Sequence, residues 1–523
     1  MQKNVLYRWG IFPLWLMLTA TICFRTPIPI DETRYLSVAW EMWLRGDFWV
    51  PYLNDHSYSH KPPLLFWLFQ LGWAVFGVND WWPKLVGPLS ALANLLLTRK
   101  LAEKLWPGQT AIALLAPWIL IATLLWSLFA TSAMFDILLT SWVLLAMLGL
   151  LELLQGGKYK GSMTIAFAIG FGLLTKGPVV FLYFCPTALL MCYWAKQENT
   201  QSRLNSLLLA LLTGVWIAMG WAIPAAIAGG DEYANSIFWQ QVSQRALGTE
   251  IHVRPWFWYT PFLPLILFPW LFWPRIWNNV RRANFSVDKG MRFCLAWLGC
   301  TFLIFSCLPS KQIHYLLPML PAYALLTARI LANAEPAGGL QSELLLPACF
   351  ALSGGFLIIL PQTPGLSKLH WVQTIRPDWG LAVIAIALAL SLITLFLRRL
   401  TVASVSIALV SAVFAGFVCF FQYNGLAYNL SPAAQQLKAF NQQGIPYAFV
   451  GNYQGQLQFL GRLTQPMPIL SVNQAADWAE RHRDGYLISV EKQKPAQAFY
   501  MQPHREYWLV IRNAGQAAQI KPL

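Results

Sequence analysis

DETRYLSVAWEMWLRGDFWVPYLNDHSYSHKPP (Asp31–Pro63) follows the first apolar stretch of the chain and packs Asp31, Glu32, Arg34, His60 and Lys61 into one block. Of the 523 residues only 11% are charged and 57% are hydrophobic, whereas an ordinary soluble domain carries about 25% charged residues. So dense a block in so apolar a chain marks a place where the polypeptide leaves lipid. The mean hydropathy of +0.48 exceeds what a soluble core requires, so the excess apolar surface faces lipid. The fold class that follows is a polytopic α-helical membrane protein.

Within the block, Leu36, Ala39, Trp40, Trp43 and Leu44 recur at helical spacing, while Arg34, Glu41 and Arg45 fall elsewhere. That pattern predicts an amphipathic helix lying in the membrane interface. PPLLFWLFQLGWAVFG (62–77) is short and bracketed by prolines, and reads as a second interfacial or re-entrant helix. Asp31 and Glu32 open the first helix, where the helix N-terminus stabilises a carboxylate. For Glu32, capping explains the residue as well as chemistry does. For Asp31 the balance favours chemistry, because an acid at the bilayer surface suits proton transfer at a bound substrate. Lys61, at a chain break beside Pro62, suits a phosphate or snorkels to headgroups. A lone His60 is more often a hydrogen-bonding residue than a metal ligand, since metals take several ligands.

Outward from the block, apolar stretches lie near 9–28, 82–104, 110–127, 133–153, 162–176, 178–195, 205–228, 257–276, 293–309, 315–332, 344–361, 379–397 and 402–422. At roughly 20 residues per crossing they give about thirteen spans. The first has a basic start (Lys3, Arg8) and no small-residue cleavage site, so it reads as a retained helix. The net charge of +15 would suggest nucleic acid in a soluble protein, yet no nucleic-acid motif accompanies it. Instead Arg99/Lys100/Lys104, Lys158/Lys160, Lys196/Arg203, the Arg275–Arg292 cluster and Arg398/Arg399 follow every second span. The positive-inside rule makes these loops and the N-terminus cytoplasmic. Loops 29–81, 128–133, 176–178, 229–256, 310–314 and 362–378, and the tail, then face outward. The eight cysteines all lie in apolar segments and form no disulfide framework or CxxC site. Residues 1–422 thus read as a transmembrane domain whose first outer loop is 29–81. Residues 423–523 read as a small α/β domain on the outer side, with strand-like runs at 446–452, 485–492 and 506–513 and a helix at 473–482.

The block, together with MFDILLT (134–140), LLTKGP (173–178) and SKQIHYLLPMLPAYALL (310–326), resembles the bacterial branch of the protein O-mannosyltransferase superfamily. Within it, the chain looks similar to the lipid A 4-amino-4-deoxy-L-arabinose transferases over most of the membrane portion. The resemblance implies a GT-C fold in the inner membrane. It also implies transfer of a sugar from a polyprenyl-phosphate donor, typically undecaprenyl phosphate, to a periplasmic acceptor such as lipid A. Carried over by motif, Asp31 and Asp136 are the catalytic acids. Lys61, Arg34, Tyr58, Arg245, Arg254, Lys311 and Tyr315 are the donor-phosphate ligands, with Glu32, Lys176 and His314 in support. Arg245 and Arg254 belong to QRALGTEIHVRPWFWY (244–259). One departure bears on metal. The glutamate before the lysine, associated with zinc in the aminoarabinose enzymes, is His60 here, which leaves a divalent metal open.

The chemistry suits the residues. A polyprenyl phosphate leaves readily once cations neutralise it, and Lys61, Arg245 and Arg254 are cations, with Tyr58 and Tyr315 as donors. Asp31 then orients an acceptor that is already ionised, or takes the proton of a hydroxyl acceptor; the sequence leaves both open. Asp136 is an intramembrane carboxylate, a residue type that defaults to function. Lys176 either binds anionic lipid or caps the break between two spans. Two alternatives stand beside this reading: a protein O-mannosyltransferase-like or other envelope-glycan transferase, and a polyprenyl-linked lipid transporter. A transporter would place its charges near the midplane of repeated halves, whereas here they gather on one side.

Overall fold

The computed structural model describes residues 2–195, 200–240, 253–281, 285–332, 339–368, 370–398 and 400–519. Among these, eight helices are long and apolar enough to cross a membrane: Val5–Phe24, Phe135–Leu154, Gln201–Trp239, Lys289–Cys307, Ile313–Ala332, Leu340–Gln362, Pro377–Leu397 and Val402–Gln442. The chain is a multi-pass membrane protein. Other expected spans fall on helices that are shorter or more charged, at Trp81–Leu105, Thr110–Ile121, Lys158–Lys176 and Val179–Leu189. The stretch 257–276 differs from expectation. It breaks into the short turns Thr260–Phe262, Leu263–Ile266 and Trp270–Phe272. Pro261, Pro264, Pro269 and Pro274 each remove a backbone donor, so no continuous helix can form there.

Phe135–Leu154 is the central helix, with 83% of its apolar window buried. It runs against Lys158–Lys176 through a glycine contact: a Cβ on Gly161 would sit 2.4 Å from the backbone nitrogen of Leu153, and one on Gly149 would sit 3.0 Å from the carbonyl of Gly161. Only hydrogen at these positions lets the two backbones approach so closely. The ends of this pair are chemically distinct. At one end Glu152 pairs with Lys104, and two residues beyond Lys104 the Trp106 Nε1 donates to Asp288 at 2.9 Å, which also accepts from Arg329 Nε at 2.6 Å. At the other end lie Asp136 and Lys176.

Asp31–Arg45 is a helix, as expected, and much of its apolar face meets protein while Leu44 stays exposed. Leu36, Ala39, Trp40 and Met42 are buried in a cluster with Phe66, Phe69, Trp73 and Phe459. An amphipathic pattern specifies that one face is apolar; it does not say whether lipid or another domain covers it. Leu64–Phe76 behaves otherwise, keeping Leu71, Val75 and Phe76 exposed as a face suited to lipid. Between the two helices β1 (Tyr52–Leu53) and β2 (His56–Ser57) form a small hairpin.

The tail builds a five-stranded mixed sheet from β3 (Tyr447–Val450), β4 (Ile469–Leu470), β5 (Tyr486–Glu491), β6 (Tyr500–His504) and β7 (Tyr507–Asn513), in the order β4-β3-β5-β7-β6. Pairs β3–β4 and β3–β5 are parallel, while β5–β7 and β6–β7 are antiparallel. The helices Ser431–Gln442 and Val472–Arg481 accompany the sheet. This unit grips the Asp31–Pro63 block. Ser37 Oγ donates to the carbonyl of Gly455 at 2.5 Å, and Trp40 Nε1 to that of Leu463 at 2.9 Å. Asn54, at the hairpin, exchanges reciprocal hydrogen bonds with the Met467 backbone at 2.9 and 2.7 Å.

Candidate active site

The site forms where helix ends meet. Asp136 lies in the first turn of Phe135–Leu154, only 2% exposed, where the helix N-terminus favours a carboxylate. Lys176, the last residue of Lys158–Lys176, donates from Nζ to Asp136 Oδ1 at 2.6 Å. A cation at a helix C-terminus is favoured by the same dipole. His314 Nε2 stands 3.8 Å from Asp136 Oδ2, and the Lys176 ammonium lies 4.4 Å from the centre of the Tyr315 ring. Tyr315 is anchored through its carbonyl, which accepts from Tyr183 Oη at 2.8 Å.

The opening block joins this group. Lys61 Nζ sits 5.7 Å from the centre of the Phe135 ring, next in sequence to Asp136. Asp31 and Lys61 both lie within electrostatic reach of His314, as do Asp136 and Lys176. Asp31 is half-exposed and ion-paired to Arg34. Burial works against the charge on Arg34, but Tyr58, Tyr35 and Asp31 together outweigh it and raise its pKa, so it stays cationic. Tyr35 packs edge-on against Phe135 with ring centres 4.9 Å apart. Burial, then the neighbouring Asp31, pushes its phenol well above the usual range, so Tyr35 keeps its proton as a hydrogen-bond donor. Tyr58 is also buried and packs between His60 and Phe66.

Not every candidate lands in the group. Glu32 is a structural clasp, accepting from Arg25 Nη1 at 2.5 Å, Arg25 Nη2 at 3.0 Å, the Ile28 amide at 2.8 Å and the Ala133 amide at 2.8 Å. Arg25 in turn donates to the carbonyl of Thr131 at 2.8 Å. The clasp ties the start of the block to the segment leading into Asp136. Lys311 is buried and donates to the carbonyls of Arg254, at 3.0 Å, and Leu308, joining two loops. Arg254 is exposed, with its guanidinium 5.9 Å from the Trp258 ring centre. Arg245 lies outside the described residues. His60 is exposed, and the described residues include no group of three or more His, Cys, Asp or Glu placed to hold a metal. Among the described residues, His60 therefore gathers no donor set for a zinc site.

Sequence reasoning missed Arg25, Tyr35 and Gln454. Arg25 stood in view, as a lone cation closing the first apolar stretch. Tyr35 was readable as part of the block. Gln454 Oε1 accepts from Arg34 Nη1 at 3.0 Å, across 420 residues of chain, and no local signal announces it.

The helix bundle, the acid–cation group at one end of it and the domain seated on the first loop make up an ArnT-like GT-C fold. Residues 60–226 match the family model described as dolichyl-phosphate-mannose-protein mannosyltransferase. More particularly, the chain resembles the undecaprenyl phosphate-α-4-amino-4-deoxy-L-arabinose arabinosyl transferases. It is 29% identical to one from Proteus mirabilis over 336 residues, covering 63% of this chain and 60% of that relative. To one from Pseudomonas aeruginosa it is 30% identical over 317 residues, covering 58% of this chain and 55% of the relative. The chain thus spans about three-fifths of the length of the relatives it matches. The fold agrees along nearly the whole chain with ArnT from Cupriavidus metallidurans, solved bound to undecaprenyl phosphate: TM-score 0.79, 19% identity, 97% of each chain.

Proposed function

We propose that the chain is an inner-membrane glycosyltransferase. It moves a sugar, 4-amino-4-deoxy-L-arabinose in the reading its relatives favour, from undecaprenyl phosphate to a periplasm-facing acceptor such as lipid A. The observation that carries this is the meeting of Asp136, Lys176 and His314 with Asp31, Arg34 and Lys61 at one end of the bundle. Acids and cations side by side at a lipid boundary suit a reaction that expels a phosphate and engages a polar acceptor. Positive-inside counting makes this end the periplasmic one and the N-terminus cytoplasmic. On this reading residues 1–422 are the catalytic membrane domain, and 423–523 are a periplasmic domain that braces the first outer loop.

In the reaction, the bond from the anomeric carbon to the phosphate oxygen breaks while an acceptor oxygen bonds to that carbon, and the bond's electron pair leaves on the phosphate. Lys61 and Arg34 supply fixed positive charge for the departing phosphate, and the phenols of Tyr35 and Tyr58 supply donors. Asp31, half-exposed at the site's edge, orients a phosphate acceptor or takes the proton of a hydroxyl acceptor. Asp136, held by Lys176 and near His314, fixes the cations around the leaving group.

The test is mass spectrometry of lipid A and envelope glycans from cells with and without the protein. A pentosamine present on lipid A only with the protein supports the reading. A mass change on another glycan moves the acceptor, and unchanged envelopes in cells that make the donor reject it.

A further inference from the structure

We propose that Gln454, from the C-terminal domain, is a positioning residue of this site that sets the plane of the Arg34 guanidinium and thereby the affinity for the donor phosphate. The inference rests on the glycosyltransferase reading above. Arg34 is anchored twice, through Nη2 to Asp31 and through Nη1 to Gln454 Oε1 at 3.0 Å. A planar guanidinium held at two of its nitrogens has its remaining donors fixed in direction.

The amide is itself oriented. Gln454 Nε2 donates to Asn452 Oδ1 at 2.6 Å, which turns Oε1 towards the arginine. The Gln454 backbone amide donates to Gln456 Oε1 at 2.8 Å. The loop has little freedom to drift, because its neighbour Gly455 accepts from Ser37 Oγ at 2.5 Å. Gly455 also has φ of +72° and packs so close to the hairpin that a Cβ would lie 2.4 Å from Leu53 Cδ1. The choice of glutamine matters electrostatically. A neutral oxygen orients Arg34 without cancelling its charge, whereas a glutamate there would add a second carboxylate beside Asp31 and repel an anion.

The experiment uses the full chain in lipid nanodiscs, titrated with undecaprenyl phosphate and assayed for sugar transfer. Gln454→Ala is expected to weaken undecaprenyl phosphate binding roughly 3- to 10-fold, the order of one hydrogen bond to a charged group acting at one remove. Gln454→Glu, nearly isosteric, is expected to weaken it further, and Asn452→Ala less than either, all with unchanged melting temperature. In an Arg34→Ala background Gln454→Ala should add less than about twofold, because the two act as one unit. Wild-type affinity in Gln454→Ala, wild-type affinity in Gln454→Glu, or an undiminished effect in the Arg34→Ala background overturns the proposal. If Gln454→Ala fails to fold, Gln454→Glu and Asn452→Ala decide. A wild-type chain that binds no undecaprenyl phosphate and transfers no sugar overturns the function itself. Binding that ignores Gln454 overturns this inference alone.

Discussion

Replacing Asp136 by asparagine tests the centre of the site, because the same residue is offered both a structural and a chemical role. The Asp136–Lys176 contact is 2.6 Å, with side chains 3% and 6% exposed. At an effective dielectric constant near 20, such a pair attracts by about 6 kcal/mol. Most of that is offset by the cost of taking both charges out of water. What Asp136→Asn leaves behind is the unfavourable half: a buried ammonium facing a neutral amide. The expected loss is about 3–5 kcal/mol of stability, large beside the total of about 5–15 kcal/mol for a typical domain. The double variant Asp136→Asn/Lys176→Met removes both charges and is expected to recover most of that loss. It should not recover sugar transfer, since the acid is still missing. Unfolding in nanodiscs gives the first quantity and a transfer assay with undecaprenyl-phosphate donor gives the second. A single variant as stable as wild type refutes the energetic argument. A double variant that transfers sugar at the wild-type rate refutes the chemical role.

Asp31→Asn and Lys61→Ala should each abolish transfer in vesicles supplied with polyprenyl-phosphate donor while leaving protein levels unchanged; full activity in both would remove them from the site. Arg25→Leu strands the buried Glu32 carboxylate and should cost about 3–5 kcal/mol, with activity falling only in step with the folded fraction; a fully folded, inactive Arg25→Leu protein would make the clasp catalytic instead. In the C-terminal domain, burial and then Arg505 hold His504 down to about 4, against about 6.5 when unfolded. The unfolded chain therefore binds the extra proton first as pH falls, and stability present above pH 6.5 is lost towards pH 4, by about 3 kcal/mol in all. Denaturant midpoints of that domain at pH 7 and pH 4.5 should reveal the slope, and His504→Phe should flatten it; an unchanged slope in His504→Phe rejects the assignment.

Much of this protein is written locally. The apolar runs are long enough to declare membrane helices by composition alone, and the strand-like runs at 446–452, 485–492 and 506–513 lie over β3, β5 and β7, because alternating apolar residues show their period within a few positions. Asp31, Lys61, Asp136 and Lys176 stood out because charge is scarce in such a chain. Even their common end of the bundle followed from counting lysines and arginines, since each span reverses the side.

The tertiary structure decided what those charges do. Glu32 and Asp31 are adjacent and chemically alike in sequence, yet one is clasped by Arg25 and two backbone amides while the other is half-exposed and paired to Arg34. Burial and partners separate them, and neither is a local property. The same holds for Lys311, a cation by sequence whose ammonium donates to two backbone carbonyls, and for 257–276, whose prolines overrule an apolar composition. The Asp31–Arg45 helix buries Leu36, Ala39 and Trp40 against Phe66, Phe69 and Trp73 of the next helix and against Phe459, some 420 residues away. An amphipathic pattern records only that a face is hidden from water; which surface hides it, and which side chain reaches Arg34, is settled when distant segments pack.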